Sequence, residues 1–208
     1  MSSKGQPTGT MPLAGTFQQQ VRKSIEASIS AKQRLLEGTN LIAVVSKVSQ
    51  ILIAAFKSGN KVILFGNGGS AADAQHIAAE FVGRFAFDRP ALPALALSVN
   101  TSCVTAIGND YGFEQVFARQ IEALAKRGDV AIGITTSGNS PNVIRAMKTA
   151  AKMGLHTVGM TGSNQCKLTA VVQHCICVPS DDTPRIQECH ILIGHVISEL
   201  VEEVIFHA

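Results

Sequence analysis

The 208-residue chain lacks a paired-cysteine pattern: Cys103, Cys166, Cys175, Cys177 and Cys189 are odd in number and contain no C-x-x-C spacing. Neither a disulfide framework nor a zinc knuckle fits that arrangement, and a reducing, cytoplasmic setting is expected. Cys175 and Cys177 stand two apart in an apolar run, which on a strand puts both on one face as core filler. Long apolar runs are missing as well. The longest are about nine residues, against the roughly 20 needed to span a bilayer, so no membrane segment is expected. Charge of one sign is scarce: 18 Lys and Arg against 15 Asp and Glu leave a net +3. That is too small and too dispersed for a nucleic-acid footprint, but it suits a small anionic substrate. Residues 1–15 are rich in Ser, Gly, Thr and Pro, with no charged segment leading into an apolar one. They do not read as a secretory signal and are expected to form a disordered leader.

What is present is enough apolar material, 46% of residues, to bury the core of one compact domain over 16–208. From Phe17 to about Ser58, apolar residues recur at helical spacing (Val21, Ile25, Ile29; then Leu41, Val44, Val45, Val48, Ile51, Leu52, Ala55), with Gly38 and Gly59 as stops. This predicts two N-terminal helices. Beyond them, short runs rich in β-branched residues predict strands at Lys61–Phe65, Leu92–Ser98, Asp129–Ile134, Thr157–Met160 and Cys175–Val178. Helical segments are expected over Ser70–Arg84, Phe113–Ala125, Asn142–Met153 and Asp182–Phe206. Strands that alternate with helices imply an α/β fold, a three-layer sandwich with a five-stranded parallel sheet flanked by helices.

In such sheets ligands bind beyond the carboxyl ends of the strands. The loop Thr135-Thr136-Ser137-Gly138-Asn139-Ser140-Pro141 puts hydroxyls there, and Ser140 followed by Pro141 reads as an N-cap and first helical turn. A helix starting at that point aims free N–H groups and its positive end at an anion. The loop Gly66-Asn67-Gly68-Gly69-Ser70-Ala71 also matches G-x-G-x-x-A, which raises a dinucleotide site. That fingerprint requires an acidic residue closing the second strand, where this chain has Ser98, Val99 and Asn100. Asn67 and Ser70 are therefore read as polar groups facing the same crevice as Ser137.

His76 and Glu80, four apart, share one helical face, and Asp73 lies one turn earlier, placed to orient the imidazole. A salt-bridged surface helix would look the same. The C-terminal segment carries Gln187, His190 and His195 on an otherwise apolar surface. Gln187 and His195 fall about 80° apart around a helix, and Gln187 and His190 can also converge, so spacing does not choose between the histidines.

The segments Gly66 to His76, Ala106-Ile107-Gly108-Asn109-Asp110-Tyr111-Gly112-Phe113, Thr136 to Ser140 and Arg185-Ile186-Gln187-Glu188 occur in order, and together they resemble the phosphoheptose isomerases. These are single-domain members of the sugar isomerase (SIS) superfamily, with a flavodoxin-like fold. The resemblance runs from about Phe17 to Phe206. It implies conversion of sedoheptulose 7-phosphate to D-glycero-D-manno-heptose 7-phosphate, the first step of ADP-heptose and lipopolysaccharide core biosynthesis, by a homotetramer with sites at subunit contacts. It places one zinc per subunit on His76, Glu80, Gln187 and His195, leaving His190 outside the site. It places substrate contacts on Asn67, Gly68, Gly69, Ser70, Asn109, Asp110, Thr135, Thr136, Ser137, Ser140 and Gln187, with Arg84 reaching a neighbouring subunit.

Ketose–aldose isomerisation needs a base to carry a proton between adjacent carbons and an acid to serve the oxygens, through an enediol. Glu80 is the expected base and His195 its partner. A carboxylate held tightly by zinc is a poorer base, so this double role requires Glu80 to loosen from the metal during turnover. Two alternatives stand beside this reading. The replication-initiator-associating proteins share the fold but lack the Glu and His that match Glu80 and His195, and other SIS isomerases act on shorter phosphosugars. Thr135, where Ser is common in the family, adds a methyl to the pocket wall, and Ser163-Asn164-Gln165-Cys166 is expected to be a surface turn.

Overall fold

The computed structural model describes residues 14–162 and 166–207. Helices α1 (Ala14–Glu37) and α2 (Thr39–Lys57) come first, divided at Gly38. Strand β1 (Val62–Gly66) leads into α3 (Gly69–Val82), β2 (Ala94–Ala96) and α4 (Thr101–Tyr111). A single 3-10 turn (Phe113–Gln115) and α5 (Ala118–Leu124) precede β3 (Val130–Ile134) and α6 (Pro141–Lys152). Strands β4 (His156–Thr161) and β5 (His174–Cys177) then lead into α7 (Thr183–Phe206). The sheet has the order β2-β1-β3-β4-β5 and every pairing is parallel.

Every residue of β1 and β3 is buried, as expected of central parallel strands covered on both faces. The two-residue period divides the core. Val62, Leu64, Ile132, Ile134, Val158 and Met160 face a layer that includes α2, α3 and α7, while Ile63, Phe65 and Ala131 face α5 and α6. Phe81 fixes α3 in the first layer: it is 1% exposed and tilts against Phe56 of α2 at 5.4 Å. Burying a side chain of that size stabilises the fold by roughly 1.5–3 kcal/mol.

Three expectations need correction. β2 is three residues long, not seven, because the edge strand stops pairing once the chain turns toward Asn100. The segment expected as one helix over Phe113–Ala125 is a 3-10 turn followed by the seven-residue α5. Helix α4 was not expected at all: none of its residues is fully buried, and its apolar stripe is short, with Val104 and Ile107 packed half-buried against the core. Its signal is instead the cap, the Asn100 side chain accepting from the Cys103 N–H at 3.1 Å.

Among the described residues, α2 is the one helix long and apolar enough to cross a membrane. Run length passes over it because Ser46, Lys47 and Ser49 interrupt the apolar residues. Its Val45, Val48, Leu52, Ala55 and Phe56 are buried in the domain core. α1 already includes Ala14 and Gly15, which the sequence reading gave to the leader. Residues 1–13, 163–165 (most of the segment expected as a surface turn) and 208 lie outside the described residues.

Candidate functional site

The strand order places β1 and β3 side by side with their following helices on opposite faces of the sheet. The loops leaving their carboxyl ends therefore diverge and open a crevice. Asn67, after β1, and Asn142, in the first turn of α6, clasp across it with two side-chain hydrogen bonds of 2.9 and 2.8 Å. A cleft of about 250 Å³ sits there, lined by Asn67, Phe113, Glu114, Ser140, Pro141 and Asn142. Asn142 and Glu114 were not singled out from the sequence. Asn142 read only as a helix start, and Glu114 lay inside the helix wrongly drawn from Phe113.

The hydroxyl loop is organised from Thr135, which is buried. Its Oγ1 lies 2.8 Å from Ser140 Oγ and 3.4 Å from Ser137 Oγ. Ser140 occupies the N-cap position of α6, yet its side chain makes no capping bond. The hydroxyl faces Thr135 instead, and Asn142 Oδ1 accepts the Val143 N–H. Ser137 Oγ accepts from the Asn139 N–H, and Asn139 Oδ1 from the Lys167 N–H, which ties the loop to the segment before β5. Thr136 is half-buried and its carbonyl accepts the Gly162 N–H. Ser70 is buried in the first turn of α3, behind Gly68 and Gly69.

Helices α3 and α7 pack in parallel. Gly69 faces Gln187, Ile77 faces Gly194, and His76 faces His195. The approach is close enough to crowd a Cβ at two places. One at Gly194 would lie 2.6 Å from Ile77 Cγ1, and one at Gly69 would lie 2.8 Å from Gln187 Cδ. This contact brings three of the sequence-chosen residues together. His76 Nε2 lies 3.0 Å from His195 Nε2 and 3.0 Å from Glu80 Oε1, and the two imidazoles are 5.0 Å apart at their centroids. The Phe85 ring lies 5.8 Å from that of His195. The cluster stays open to solvent: the His76 side chain is 52% exposed and that of Glu80 22%.

Gln187 stands elsewhere, its amide against Gly69, roughly 12 Å along α7 from His195 at 1.5 Å per residue. It thus lies between the crevice and the cluster. Its neighbours in the motif face away: Arg185 donates to Glu188 and to the Ser24 carbonyl of α1. Asn109 and Asp110, at the end of α4, are exposed and bonded to each other at 2.8 Å. Asp110 lines a separate hollow beside β2 and α4, and neither residue lines the crevice. Arg84 is exposed on the loop after α3.

Burial pushes the Asp73 carboxyl up to about 6, an effect that the nearby His76 partly offsets. No hydrogen bond between Asp73 and His76 is found among the described residues, and Asp73 Oδ2 has no partner. Asp73 therefore acts on the imidazole through charge, not as the hydrogen-bonded orienting group the sequence suggested.

The atoms suit a cation. His76 Nε2 carries at most one proton and cannot donate to both His195 Nε2 and Glu80 Oε1, so lone pairs converge there. The ligating atoms of the three residues lie within 4.8 Å of one another. In a tetrahedral zinc site with bonds near 2.0–2.1 Å, donor atoms are roughly 3.3 Å apart, so the spacing and the donor types both fit.

His190 belongs to the core. It is fully buried, its Nε2 lies 3.3 Å from the Thr161 carbonyl, and its Nδ1 has no partner. Burial pushes this imidazole down to about 4, against 6.5 in an unfolded chain, with the Thr161 carbonyl offsetting part of the effect. Between those values the unfolded chain holds the extra proton, so stability falls as pH drops through the window and the loss is complete below about 4. The slope approaches about 1.4 kcal/mol per pH unit. Replacing His190 with Leu should flatten this dependence. Urea unfolding of variant and wild type at several pH values across the window checks it: a constant difference between them would contradict the assignment.

A doubly wound α/β protein with a crevice at its switch point, a hydroxyl-bearing loop beside it and a His/Glu cluster on adjoining helices has a layout suited to a small polar ligand. The SIS domain family model matches residues 25–162. A phosphoheptose isomerase of Aquifex aeolicus is 61% identical over 158 residues, covering 76% of this chain and 83% of that protein. One from Sulfurimonas denitrificans is 51% identical over 186 residues, 89% of this chain and 95% of the relative. The solved phosphoheptose isomerase of Neisseria gonorrhoeae superposes with a TM-score of 0.85 at 40% identity, covering 90% of this chain and 99% of the other. The chain belongs to the phosphoheptose isomerase family of SIS-domain proteins.

Proposed function

We propose that this protein isomerises sedoheptulose 7-phosphate to D-glycero-D-manno-heptose 7-phosphate in the cytoplasm, supplying heptose for lipopolysaccharide core synthesis. The carrying observation is the convergence of His76, Glu80 and His195 on the two helices beside the crevice. The phosphate binds the hydroxyls of Thr136, Ser137, Ser140 and Ser70. The first turn of α6, where Ser140 makes no capping bond, adds the Asn142 N–H and the positive helix end. Asn67, Gly68 and Gly69 line the path from the phosphate to the cluster, and Asn109, Asp110 and Arg84 serve the sugar chain or a neighbouring subunit's site.

Glu80 takes a proton from C1 of the ketose while His195 delivers one to O2, which gives the enediol. Glu80 then returns its proton to C2 while His195 takes the proton from O1, so the aldehyde forms and both residues regain their starting states. One oxygen of Glu80 faces His76, which leaves the other to handle the proton. His76, Glu80 and His195 would hold one zinc ion per subunit; Gln187, whose amide rests against Gly69, would have to swing along α7 toward them to serve as the fourth donor. Zinc supplies a Lewis acid that polarises the carbonyl. A homotetramer is supported by the stripe Phe17, Val21, Ile25 and Ile29 along α1, each at least half exposed, and by the open cluster, which a neighbouring subunit would cover.

The test is turnover of sedoheptulose 7-phosphate by the metal-loaded protein, in competition with pentose and hexose phosphates, alongside metal analysis. Preferred turnover of a shorter phosphosugar would overturn the substrate assignment, and full activity in metal-free protein would overturn the zinc.

A further inference from the structure

Beyond the cluster, α3 and α7 are joined a second time by a buried ion pair. The side chains of Arg89 and Glu202 are 2% and 1% exposed and meet at 2.7 Å. Each is saturated by partners that belong to the site's framework. Arg89 donates to the Glu80 carbonyl at 2.7 Å and to the Phe81 carbonyl at 2.8 Å, two of the carbonyls left free where α3 ends. A cation there also complements the helix dipole. The Phe206 ring lies 5.5 Å from the guanidinium carbon. Glu202 accepts from the Phe85 N–H at 2.9 Å and the Ala86 N–H at 2.6 Å. Burial alone would raise the Glu202 carboxyl, but these N–H groups and the guanidinium outweigh it and hold it below the ordinary carboxylate range.

One clasp therefore grips the carbonyl of Glu80, the backbone of Phe85, whose ring packs on His195, and the α7 helix that carries His195 two turns earlier. It also holds the loop from which Arg84 projects.

We propose that the Arg89–Glu202 pair is a positioning device for the isomerase site, holding Glu80 and the Phe85 loop in register with His195. The proposal rests on the isomerase reading above. Side chains that orient groups at a metal or catalytic site typically affect metal affinity or activity by about 10–100-fold, and a misplacement of about 1 Å can cost about 100-fold in rate.

Three variants test it: Arg89→Lys, Glu202→Gln and the double variant Arg89→Met with Glu202→Leu. A buried pair replaced whole by apolar groups often keeps its stability, whereas removal of one partner strands a charge. The double variant separates positioning from folding for that reason. It should stay folded, with a somewhat lowered thermal midpoint because the Glu80 carbonyl and the Phe85 and Ala86 N–H groups lose their partners, and its kinetics are read at a temperature where it is fully folded. Its kcat should drop about 10–100-fold with KM within about threefold, and its zinc affinity against a competing chelator should fall by a similar factor. Arg89→Lys keeps the charge but cannot span both carbonyls and Glu202, so it should be intermediate. Amide exchange over residues 83–89 should quicken in all three. A folded double variant with wild-type kcat and zinc affinity would overturn the proposal, as would activity lost only in step with the unfolded fraction. Wild type that binds zinc but turns over no phosphosugar would sink the isomerase reading alone, and zinc affinity and amide exchange would still decide the clasp.

Discussion

Glu80→Gln should lower kcat for sedoheptulose 7-phosphate by about 10²–10⁴-fold, the range contributed by a general base, with little change in stability. Glutamine has the shape of glutamate and can still face His76 Nε2, but its amide oxygen does not hold a proton near neutral pH. The Glu80 side chain is partly exposed and makes no contact that the core depends on. A stability change within about 0.5 kcal/mol is therefore expected, as for surface substitutions generally. The decisive measurement follows exchange of the substrate's C1 hydrogen with deuterated water. Wild type should wash the label in and Glu80→Gln should not. Undiminished exchange in the variant would place the base on another residue.

His195→Ala should be at least as damaging, because it removes both a metal donor and the group assigned to the oxygens. Zinc retained after dialysis should fall well below the roughly one equivalent expected of an intact site, and kcat should fall by about 10²–10⁴-fold. The fold should survive, since His195 is not among the buried residues of α7. His195→Gln discriminates further: an amide can serve the oxygens as a hydrogen-bond donor but is a weak metal ligand. If it keeps zinc and loses turnover, His195 is an acid first and a ligand second. Full activity in His195→Ala would remove His195 from the mechanism altogether.

The crevice was legible in the sequence because its residues are local. Asn67 to Ser70 and Thr135 to Ser140 follow strands whose apolar runs are unmistakable, and the sheet rule places their loops at one end. The pairing of His76 with Glu80 was legible for the same reason, as one turn of one helix. His195 was different. Spacing along α7 admitted His190 equally, and what separates them is that His190 points at the Thr161 carbonyl in the core while His195 points at α3. Only the docking of two helices decides that, and it depends on the missing side chain at Gly194. Arg89 was invisible for a related reason. In a Pro-containing loop it reads as a solvated charge, and its burial comes from Glu202, 113 positions away.

The contact between His76 and His195 spans 119 positions, and this gives the protein a definite order of becoming competent. A chain emerging from the ribosome at about 5–20 residues per second exposes α3 long before α7 exists. During that interval His76 and Glu80 are a surface pair without His195, so the nascent protein would hold the proposed metal weakly. The site forms when the last helix docks beside α3. If the proposed zinc binds, its capture should therefore act as a final lock on a fold already closed, stabilising completed chains in step with the logarithm of free zinc and giving nothing to those truncated before α7.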